Sequence, residues 1–252
     1  MNKRIRAAFD RAHATYADAA LVQREAAADC VAALPAGRWP SVLEIGAGGG
    51  VLTRLAARRL SWERYVALDP APRMLRLAAG AAERVFPVLA DGETAPFREG
   101  SFDALLSSSA MQWYRRPEVS IPANLRLLRP GGAFSLSLFV AGSLRELAEA
   151  GAVAGFGAVR SLLPAELYAD LLASLPGVTF EHATREIVQW FDSVPAFLDV
   201  HRRTGATASD GVGGRPSPSA YRRLQAAYAE RFGRDGRIPA TSVVLRLTGT
   251  RG

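Results

Sequence analysis

Apolar and polar positions along this chain fall into blocks whose period changes from helical to strand-like. Residues 4–33 are rich in alanine and carry apolar side chains at helical spacing, among them Ile5 and Phe9. This period predicts one or two amphipathic helices ahead of the main fold. A Pro-Ala-Gly sequence at 35–37 ends the segment, because proline and glycine interrupt regular structure.

Strand-like runs and helical segments then alternate up to residue 140. The predicted strands are 41–45, 64–68, 85–90, 102–107 and 133–140. The predicted helices are 51–60, 73–82 and 117–128. Such alternation is typical of an α/β fold in which a parallel sheet carries helices on both faces.

The pattern loosens after residue 140. Residues 142–176 are predicted to be mostly helical, with breaks at Gly155, Gly157 and Pro164. The remaining predicted elements are a strand at 178–190, helices at 193–203 and 219–232, and a final strand at 241–248. The Gly/Ser/Pro-rich residues 206–218 are predicted to form a flexible loop.

The length of 252 residues suits a single domain with a large insertion. We divide it into an N-terminal helical cap (1–38), a core (39–140), a helical lid or insertion (141–235) and a final strand (236–252). The content of 49% hydrophobic and 22% charged residues excludes a largely disordered chain. No apolar run is long enough to span a membrane, and charged residues interrupt the N-terminal segment, so we expect a cytoplasmic protein.

Composition also limits the chemistry. The single Cys30 excludes an intramolecular disulfide, and three histidines far apart in sequence give no metal-ligand spacing, so no metal is expected. The net charge is +7, but the basic residues, all arginine except Lys3, are spread along the chain. Without a basic block a nucleic-acid partner is disfavoured, whereas an acidic partner protein stays possible.

A glycine-rich turn follows the first predicted strand. The sequence VLEIGAGGG (42–50) places Gly46, Gly48 and Gly50 at alternate positions, with Glu44 two residues before the first of them. Glycine lets the backbone turn sharply and approach a ligand closely. The helix that follows offers unpaired N–H groups at its N-terminus. A glycine-rich turn without a ligand is the alternative interpretation of this segment.

Two further acidic residues end the next two predicted strands. Asp69 is placed to accept hydrogen bonds from two ribose hydroxyls, and Asp91, followed by Gly92, from an adenine amine. Since parallel strands end at one edge of a sheet, we expect Glu44, Asp69 and Asp91 to converge there, where open α/β sheets bind ligands. The chain contains no phosphate-binding GxxxxGK[ST] loop, which disfavours nucleotide hydrolysis.

The core resembles the class I S-adenosylmethionine-dependent methyltransferases. The matching segments are EIGAGGG (44–50), ALDPAPRML (67–75), LADGETAPF (89–97), SFDALLSS (101–108) and LLRPGGAF (127–134). The resemblance implies a Rossmann-like, seven-stranded, mostly parallel sheet whose last strand is antiparallel. It also implies S-adenosylmethionine as the cofactor and adds Ser107 to the cofactor-binding residues.

The flanking segments are similar to those of the malonyl-acyl-carrier protein O-methyltransferases of biotin synthesis. They are RIRAAFDRAHATYADAALVQ (4–23), SSSAMQW (107–113), VAGSLRELAEA (140–150), FDSVPAFLDVHRRTGAT (191–207), SAYRRLQAAY (219–228) and GRIPATSVVL (236–245). This resemblance implies methyl transfer to the free carboxylate of a malonyl thioester, carried by acyl-carrier protein or coenzyme A. We also expect a monomer. Residues 151–163 and 208–217 depart from the family pattern.

Such a reaction needs positioning more than proton transfer, because a carboxylate is already ionised at neutral pH. Tyr16 and Gln23 are seven residues apart, on one helix face, and the resemblance suggests that this helix covers the cofactor. Gln112 and Trp113 follow the fourth strand and are candidates for the substrate pocket. An arginine suits the malonyl carboxylate, and the candidates are Arg145, Arg202 and Arg203.

Other functions remain open. A methyltransferase acting on a different small carboxylate, such as a trans-aconitate-like acid, would share the core. So would a methyltransferase-fold factor that modifies proteins or assists assembly, like those of respiratory complex I. A nucleic-acid methyltransferase is disfavoured by the dispersed charge. The arginines of the predicted helix 219–232 are candidates for docking an acidic carrier protein.

Overall fold

A seven-stranded sheet forms the centre of the protein in a computed structural model that describes residues 3–156, 160–206 and 217–252. Its strands are β1 (Ser41–Ile45), β2 (Arg64–Asp69), β3 (Val85–Leu89), β4 (Phe102–Ser108), β5 (Leu128–Phe139), β6 (Val178–Phe191) and β7 (Ile238–Arg251). Their order is β3-β2-β1-β4-β5-β7-β6. Strands β1 to β5 are parallel, and β7 is antiparallel to both β5 and β6. The predicted mostly parallel sheet with an antiparallel last strand is confirmed.

Ten α-helices surround the sheet among the described residues. They are α1 (Lys3–Arg11), α2 (Tyr16–Ala19), α3 (Leu21–Ala32), α4 (Val51–Ala56), α5 (Pro72–Ala79), α6 (Pro117–Leu125), α7 (Arg145–Ala154), α8 (Ala165–Ala173), α9 (Val194–Arg203) and α10 (Pro218–Phe232). The N-terminal segment is helical as predicted, but it is broken into three α-helices and one 3-10 turn. Part of the predicted loop 206–218, and the predicted break at Gly157, lie outside the described residues.

Several predicted boundaries differ from the structure, two of them by four or five residues. The helix predicted over 51–60 ends at Ala56, because residues 60–61 extend and pair in parallel with residues 37–38. The strand predicted over 133–140 begins earlier, at Leu128, and its Pro-Gly-Gly segment produces a register shift against β4 instead of a break. Glycine and proline can mark an irregularity within a strand as well as a turn between two elements.

Strand β1 is buried along its whole length, as expected for a central parallel strand covered on both faces. Leu43 and Ile45 pack into a core cluster with β4, β5 and α6. Val42 points to the opposite face and packs with Tyr65 against α3 and α4. Alternate side chains of β1 therefore enter two different cores.

The lid packs beside β7 as a third core. Leu147 of α7, Phe197 of α9, and Leu224 and Tyr228 of α10 are buried together there. The buried Glu146 ties α7 to β7, because its carboxylate accepts hydrogen bonds from the backbone N–H of Thr241 (3.1 Å) and from the Thr241 hydroxyl. A search of the described residues found no helix long and apolar enough to cross a membrane.

Candidate functional site

The glycine turn after β1 brings the backbone unusually close to its neighbours. Gly46, Gly48 and Gly50 all have positive φ, at +77°, +49° and +76°. A Cβ atom built on Gly46 would lie only 2.2 Å from the Cβ of Ala110, in the loop after β4. No side chain fits at that distance, so the sequence needs glycine at position 46 for space as well as for backbone conformation.

Asp69, at the end of β2, holds the turn in place. One carboxylate oxygen accepts the backbone N–H of Gly48 at 2.8 Å, and the other accepts that of Ala71 at 2.8 Å. Burial raises the pKa of Asp69 to about 6, while these two hydrogen bonds act to lower it. A nearly buried carboxylate therefore lies where β1 and β2 end.

Asp91 follows β3 and caps the short 3-10 helix Gly92–Thr94 by accepting the N–H of Glu93 at 3.1 Å. Gly92 is buried, and a Cβ there would lie 2.6 Å from both Ile45 and the Tyr114 hydroxyl. The close packing at Gly92 fixes the position of the Asp91 backbone beside the end of β1.

These strand ends enclose a small cavity of about 70 Å³, which we call the smaller cavity. Gly46, Gly48, Asp69, Asp91 and Gly92 all line it, so the structure brings these predicted residues together. The N-terminal segment closes it with two aromatic side chains, Phe9 and Tyr16.

Tyr16 is therefore placed at this cavity, as the sequence suggested. Burial, followed by the nearby charge of Asp69, raises the pKa of its phenol. Asp10 anchors the segment, because its carboxylate accepts the backbone N–H of Arg73 at the start of α5 (2.7 Å). The cap thus depends on a contact between α1 and α5.

Glu44 does not line either of the two cavities. It lies on the same face of β1 as Val42, facing α4, where one carboxylate oxygen accepts the hydroxyls of Thr53 (2.6 Å) and Tyr65 (2.5 Å). Burial raises its pKa to about 7, although both hydroxyls lower it. The expected convergence of three acids at one cavity is thus seen for Asp69 and Asp91, whereas Glu44 supports the turn from behind.

Two other predicted cofactor residues also lie outside the smaller cavity. Gly50 is the N-cap of α4 and packs against Ala78 of α5. Ser107 is buried within β4 and donates its hydroxyl to the carbonyl of Ile45 at 2.8 Å. Both residues therefore contact protein around the cavity and do not line it. The sequence pattern alone does not distinguish such a residue from one that contacts a ligand.

A larger cavity of about 250 Å³ lies between the sheet edge and the lid. Gln23 and Gln112 line it, so Gln23 lies at this cavity and not at the smaller one where it was predicted. Its wall is mostly apolar and includes side chains of β5, α7 and α9, such as Phe139, Leu147, Phe197 and Leu198.

Trp113 lines both cavities and separates them. Its ring meets that of Phe9 edge-on, with 5.5 Å between the centroids. Its indole nitrogen is buried without a hydrogen-bond partner in the described structure, as is the Oε1 atom of Gln112. The amide of Gln112 is oriented by the carbonyl of Ser109, to which its Nε2 donates at 2.9 Å.

The predicted carboxylate-binding arginines are not at either cavity. Arg202 is exposed and pairs with Asp199 at 2.9 Å, one turn earlier on α9. Arg145 is exposed and pairs through two nitrogens with Glu186. Arg203 lines neither cavity, and its backbone carbonyl accepts the Thr15 hydroxyl. Arg145 and Arg202 are thus exposed and Arg203 is half-buried, which helical spacing alone did not reveal.

Two residues at the larger cavity were not singled out from the sequence. Arg160 lies with its guanidinium 5.0 Å from the centroid of the Trp113 ring. His201 packs against Phe197, and burial lowers its pKa to about 4, so the imidazole is neutral at pH 7. The helical period of α9 places His201 inward, whereas no signal distinguished Arg160 from the other arginines.

The two cavities provide distinct chemistry. The smaller one offers carboxylate acceptors beside closely packed backbone, and the larger one offers an apolar wall with a single arginine among its described lining residues. No group of three His, Cys, Asp or Glu side chains suited to a metal ion was found within the described ranges. Trp113 lines both compartments, so the two cavities are adjacent at this residue.

Comparisons with known proteins agree with this geometry. Residues 43–136 match the family model described as a methyltransferase domain. The chain is 34% identical to the malonyl-acyl-carrier protein O-methyltransferase of Laribacter hongkongensis, over 96% of this chain and 86% of the relative. It is 35% identical to the biotin biosynthesis bifunctional protein BioCD of Bordetella avium, over 90% of this chain and 48% of that protein.

Solved structures confirm the fold. The YcgJ protein of Bacillus subtilis superposes with a TM-score of 0.63 at 14% identity, over 90% of this chain and 99% of that one. The predicted class I methyltransferase fold is thereby confirmed, together with the methyltransferase domain.

Proposed function

The chain belongs to the family of malonyl-acyl-carrier protein O-methyltransferases, and we propose that it methylates the free carboxylate of a malonyl thioester. The methyl donor is S-adenosylmethionine, and the product is the malonyl methyl ester that primes pimeloyl and biotin synthesis. The observation that carries the proposal is the pair of cavities that meet at Trp113. In this proposal the smaller cavity receives the nucleoside part of the donor, and the larger one receives a short acyl chain.

The residues at the smaller cavity fit S-adenosylmethionine. Asp69 has carboxylate oxygens suited to the ribose hydroxyls, and Asp91 is placed for the adenine amine. Gly46, Gly48 and Gly92 line the cavity without side chains, and a Cβ at Gly46 or Gly92 would collide with neighbouring residues. Bound there, S-adenosylmethionine supplies an electrophilic methyl group on a cationic sulfur.

Glu44, Gly50 and Ser107 act from behind this surface in our proposal. Thr53 lies on α4 and donates to Glu44, so the buried carboxylate ties β1 to the helix that follows the glycine turn. Gly50 permits the tight start of that helix. These residues position the turn, while Tyr16 covers the ligand from the N-terminal segment.

The protein's task in the reaction is to position and desolvate the two reactants. A malonyl carboxylate is ionised at pH 7, so no general base has to remove a proton. The negative nucleophile and the positive donor lose their charges together, and a water-poor pocket favours such a step because it stabilises separated charges poorly. The apolar wall of the larger cavity, with Phe139 and Leu147, supplies this environment.

Gln23, Gln112 and Trp113 shape the meeting point of the two reactants in this proposal. Trp113 forms the wall that both cavities share, and Gln112 and Gln23 line the acyl side. The neutral His201 adds a polar group without adding a second positive charge. Proximity and orientation alone can supply several kcal/mol of barrier reduction, roughly 7–11 in well-aligned systems.

We further propose that the acyl-carrier protein, which is acidic, docks near α10. This helix packs on α7 of the lid, and its Arg222 and Arg223 side chains are exposed. Arg222→Glu is expected to raise KM for malonyl-carrier protein at low salt and to leave KM for malonyl-coenzyme A unchanged. Equal effects on both substrates would contradict docking at α10. The cytoplasmic location and the monomeric state stay predictions.

The direct test is a transfer assay with methyl-labelled S-adenosylmethionine. Malonyl-carrier protein, malonyl-coenzyme A and free trans-aconitate are offered separately, and the products are examined by mass spectrometry. We expect a base-labile methyl ester on a malonyl thioester and little transfer to trans-aconitate. Preferred methylation of the free acid, or of a protein side chain, would refute the proposed substrate.

A further inference from the structure

The glycine turn after β1 uses most of its backbone donors within the protein. The N–H groups of Gly46 and Ala47 both donate to the carbonyl of Leu68, at 2.8 and 3.0 Å, and that of Gly48 donates to Asp69. Backbone N–H groups of glycine-rich turns are often the donors that bind an anion. Here they are bonded to protein atoms, so an anion at this turn depends largely on donors from side chains.

Two arginines reach the turn from different helices. Arg54 of α4 donates its Nη2 to the carbonyl of Gly49 at 2.9 Å. Arg24 of α3 donates its Nη2 to the carbonyl of Ala17 at 3.1 Å. Ala17 follows Tyr16, and a Cβ built on Gly49 would lie 3.6 Å from the Cδ1 atom of Tyr16. Both guanidinium groups are thus anchored where the N-terminal segment covers the glycine turn.

The two positive charges act on each other. Burial, followed by the charge of Arg24, lowers the pKa of Arg54, while Glu44 acts to raise it. Within the described ranges, neither guanidinium forms an ion pair with an aspartate or a glutamate, and each donates to a neutral carbonyl. A guanidinium has several N–H donors, so both keep donors beyond that bond. An anion that contacts both groups would accept these hydrogen bonds and reduce the repulsion between them.

The strand order indicates which anion reaches this place. The ends of β3, β2 and β1 follow one another along the edge of the sheet. In the proposed function, Asp91 after β3 receives the adenine and Asp69 after β2 receives the ribose. The rest of the donor then continues along the edge to the end of β1, where the glycine turn lies. That part of S-adenosylmethionine is an amino acid, and its carboxylate is the only anionic group of the molecule.

We propose that Arg24 and Arg54 together bind the carboxylate of the methionine part of S-adenosylmethionine. This inference rests on the proposed function for the identity of the donor and adds a binding site for its amino-acid end. Asp69 and Asp91 hold one end of the donor and the two arginines hold the other, which fixes the position of the sulfur between them. Because Arg24 belongs to the N-terminal cap and Arg54 to the core, the bound carboxylate also ties the cap to the core.

The test compares two donors that differ only in this carboxylate. S-adenosylmethionine and its decarboxylated form are titrated separately into the protein by calorimetry, with no acyl substrate present, so that no methyl transfer takes place. The native protein should bind S-adenosylmethionine roughly 10- to 100-fold more tightly than the decarboxylated form. The preference should fall in Arg24→Gln and in Arg54→Gln, and the double variant should bind both donors with nearly equal affinity. Arg54→Lys should keep part of the preference, because the positive charge remains.

Arg59→Gln is the matched control. Arg59 is also an exposed arginine that donates to backbone carbonyls, those of Ala32 and Leu34, and it lines neither cavity. This variant should keep the native preference. Unchanged affinity for the decarboxylated donor in every variant shows that the smaller cavity is intact.

The possible results separate this inference from the proposed function. A double variant that folds and keeps the native preference overturns the inference, and so does loss of the preference in Tyr16→Phe but not in the arginine variants. If the arginine variants weaken binding of malonyl-coenzyme A instead, the pair binds a phosphate of that molecule and the inference is wrong. If the native protein binds both donors equally, only the inference fails. If it binds neither, the proposed function fails with it.

Discussion

The contact between Gly46 and Ala110 allows a quantitative prediction about the glycine turn. In Gly46→Ala, the new Cβ would lie 2.2 Å from the Cβ of Ala110, and the residue would keep φ near +77°. Gly131 offers a matched comparison, because its φ is +80° but no atom lies within 4 Å of a Cβ built there. The two substitutions share the conformational cost and differ in the collision.

The expected magnitudes follow from these distances. A left-handed conformation costs a residue with a Cβ about 1–2 kcal/mol, which is the expected loss for Gly131→Ala. Overpacking adds about 1–3 kcal/mol, so Gly46→Ala should lose that much more free energy of unfolding. Ala110→Gly in the Gly46→Ala background removes the second Cβ and should recover most of the difference.

Urea denaturation gives the free energies of unfolding, and titration with S-adenosylmethionine gives the affinity at the cavity that Gly46 and Ala110 both line. Gly46→Ala should weaken cofactor binding more than Gly131→Ala does, because the collision shifts the wall of the smaller cavity. Equal losses of stability for the two alanine variants, or no recovery in the double variant, would refute the role of this close contact.

Three further predictions concern ionisable groups. Since the pKa of Asp69 is about 6, affinity for S-adenosylmethionine should fall roughly tenfold between pH 7 and pH 5 in titration calorimetry, but not in Asp69→Asn. The pKa of His201 is lowered to about 4, so it contributes a loss of stability as pH falls from 6.5 to 4, up to ~3 kcal/mol, which His201→Gln should remove in urea denaturation. Glu146→Gln should cost ~1–3 kcal/mol by the same method, because Thr241 loses a charged acceptor. If the affinity of the native protein for S-adenosylmethionine does not change with pH, the first prediction is wrong. An unchanged acid profile in His201→Gln would contradict the second, and native stability of Glu146→Gln would contradict the third.

Much of the fold was predictable where the strands are short and buried, as in β1, β2 and β4. The run at 41–45 and the glycine turn after it are local signals, and the structure shows a strand with the same bounds. Helix ends were less predictable. Ala56 ends α4 because residues 60–61 pair with residues 37–38, a contact that no local pattern encodes.

The site was predictable where it depends on strand ends and unpredictable where it depends on the lid. Asp69 and Asp91 line one cavity because parallel strands end at the same edge. Glu44 belongs to the same sequence motif as the glycine turn, but it lies one residue before the end of β1. Because side chains alternate between the two faces of a strand, Glu44 points toward Thr53. Arg160 was missed because its cavity forms only when segments far apart in sequence pack together.

The most direct test of the two-compartment site is a crystal structure with S-adenosylhomocysteine and a malonyl thioester bound together. We expect the adenosine beside Asp69 and Asp91, the malonyl carboxylate in the larger cavity, and the sulfur and the carboxylate meeting at Trp113. Both ligands in one cavity, or an acyl group bound on a surface remote from Trp113, would contradict it.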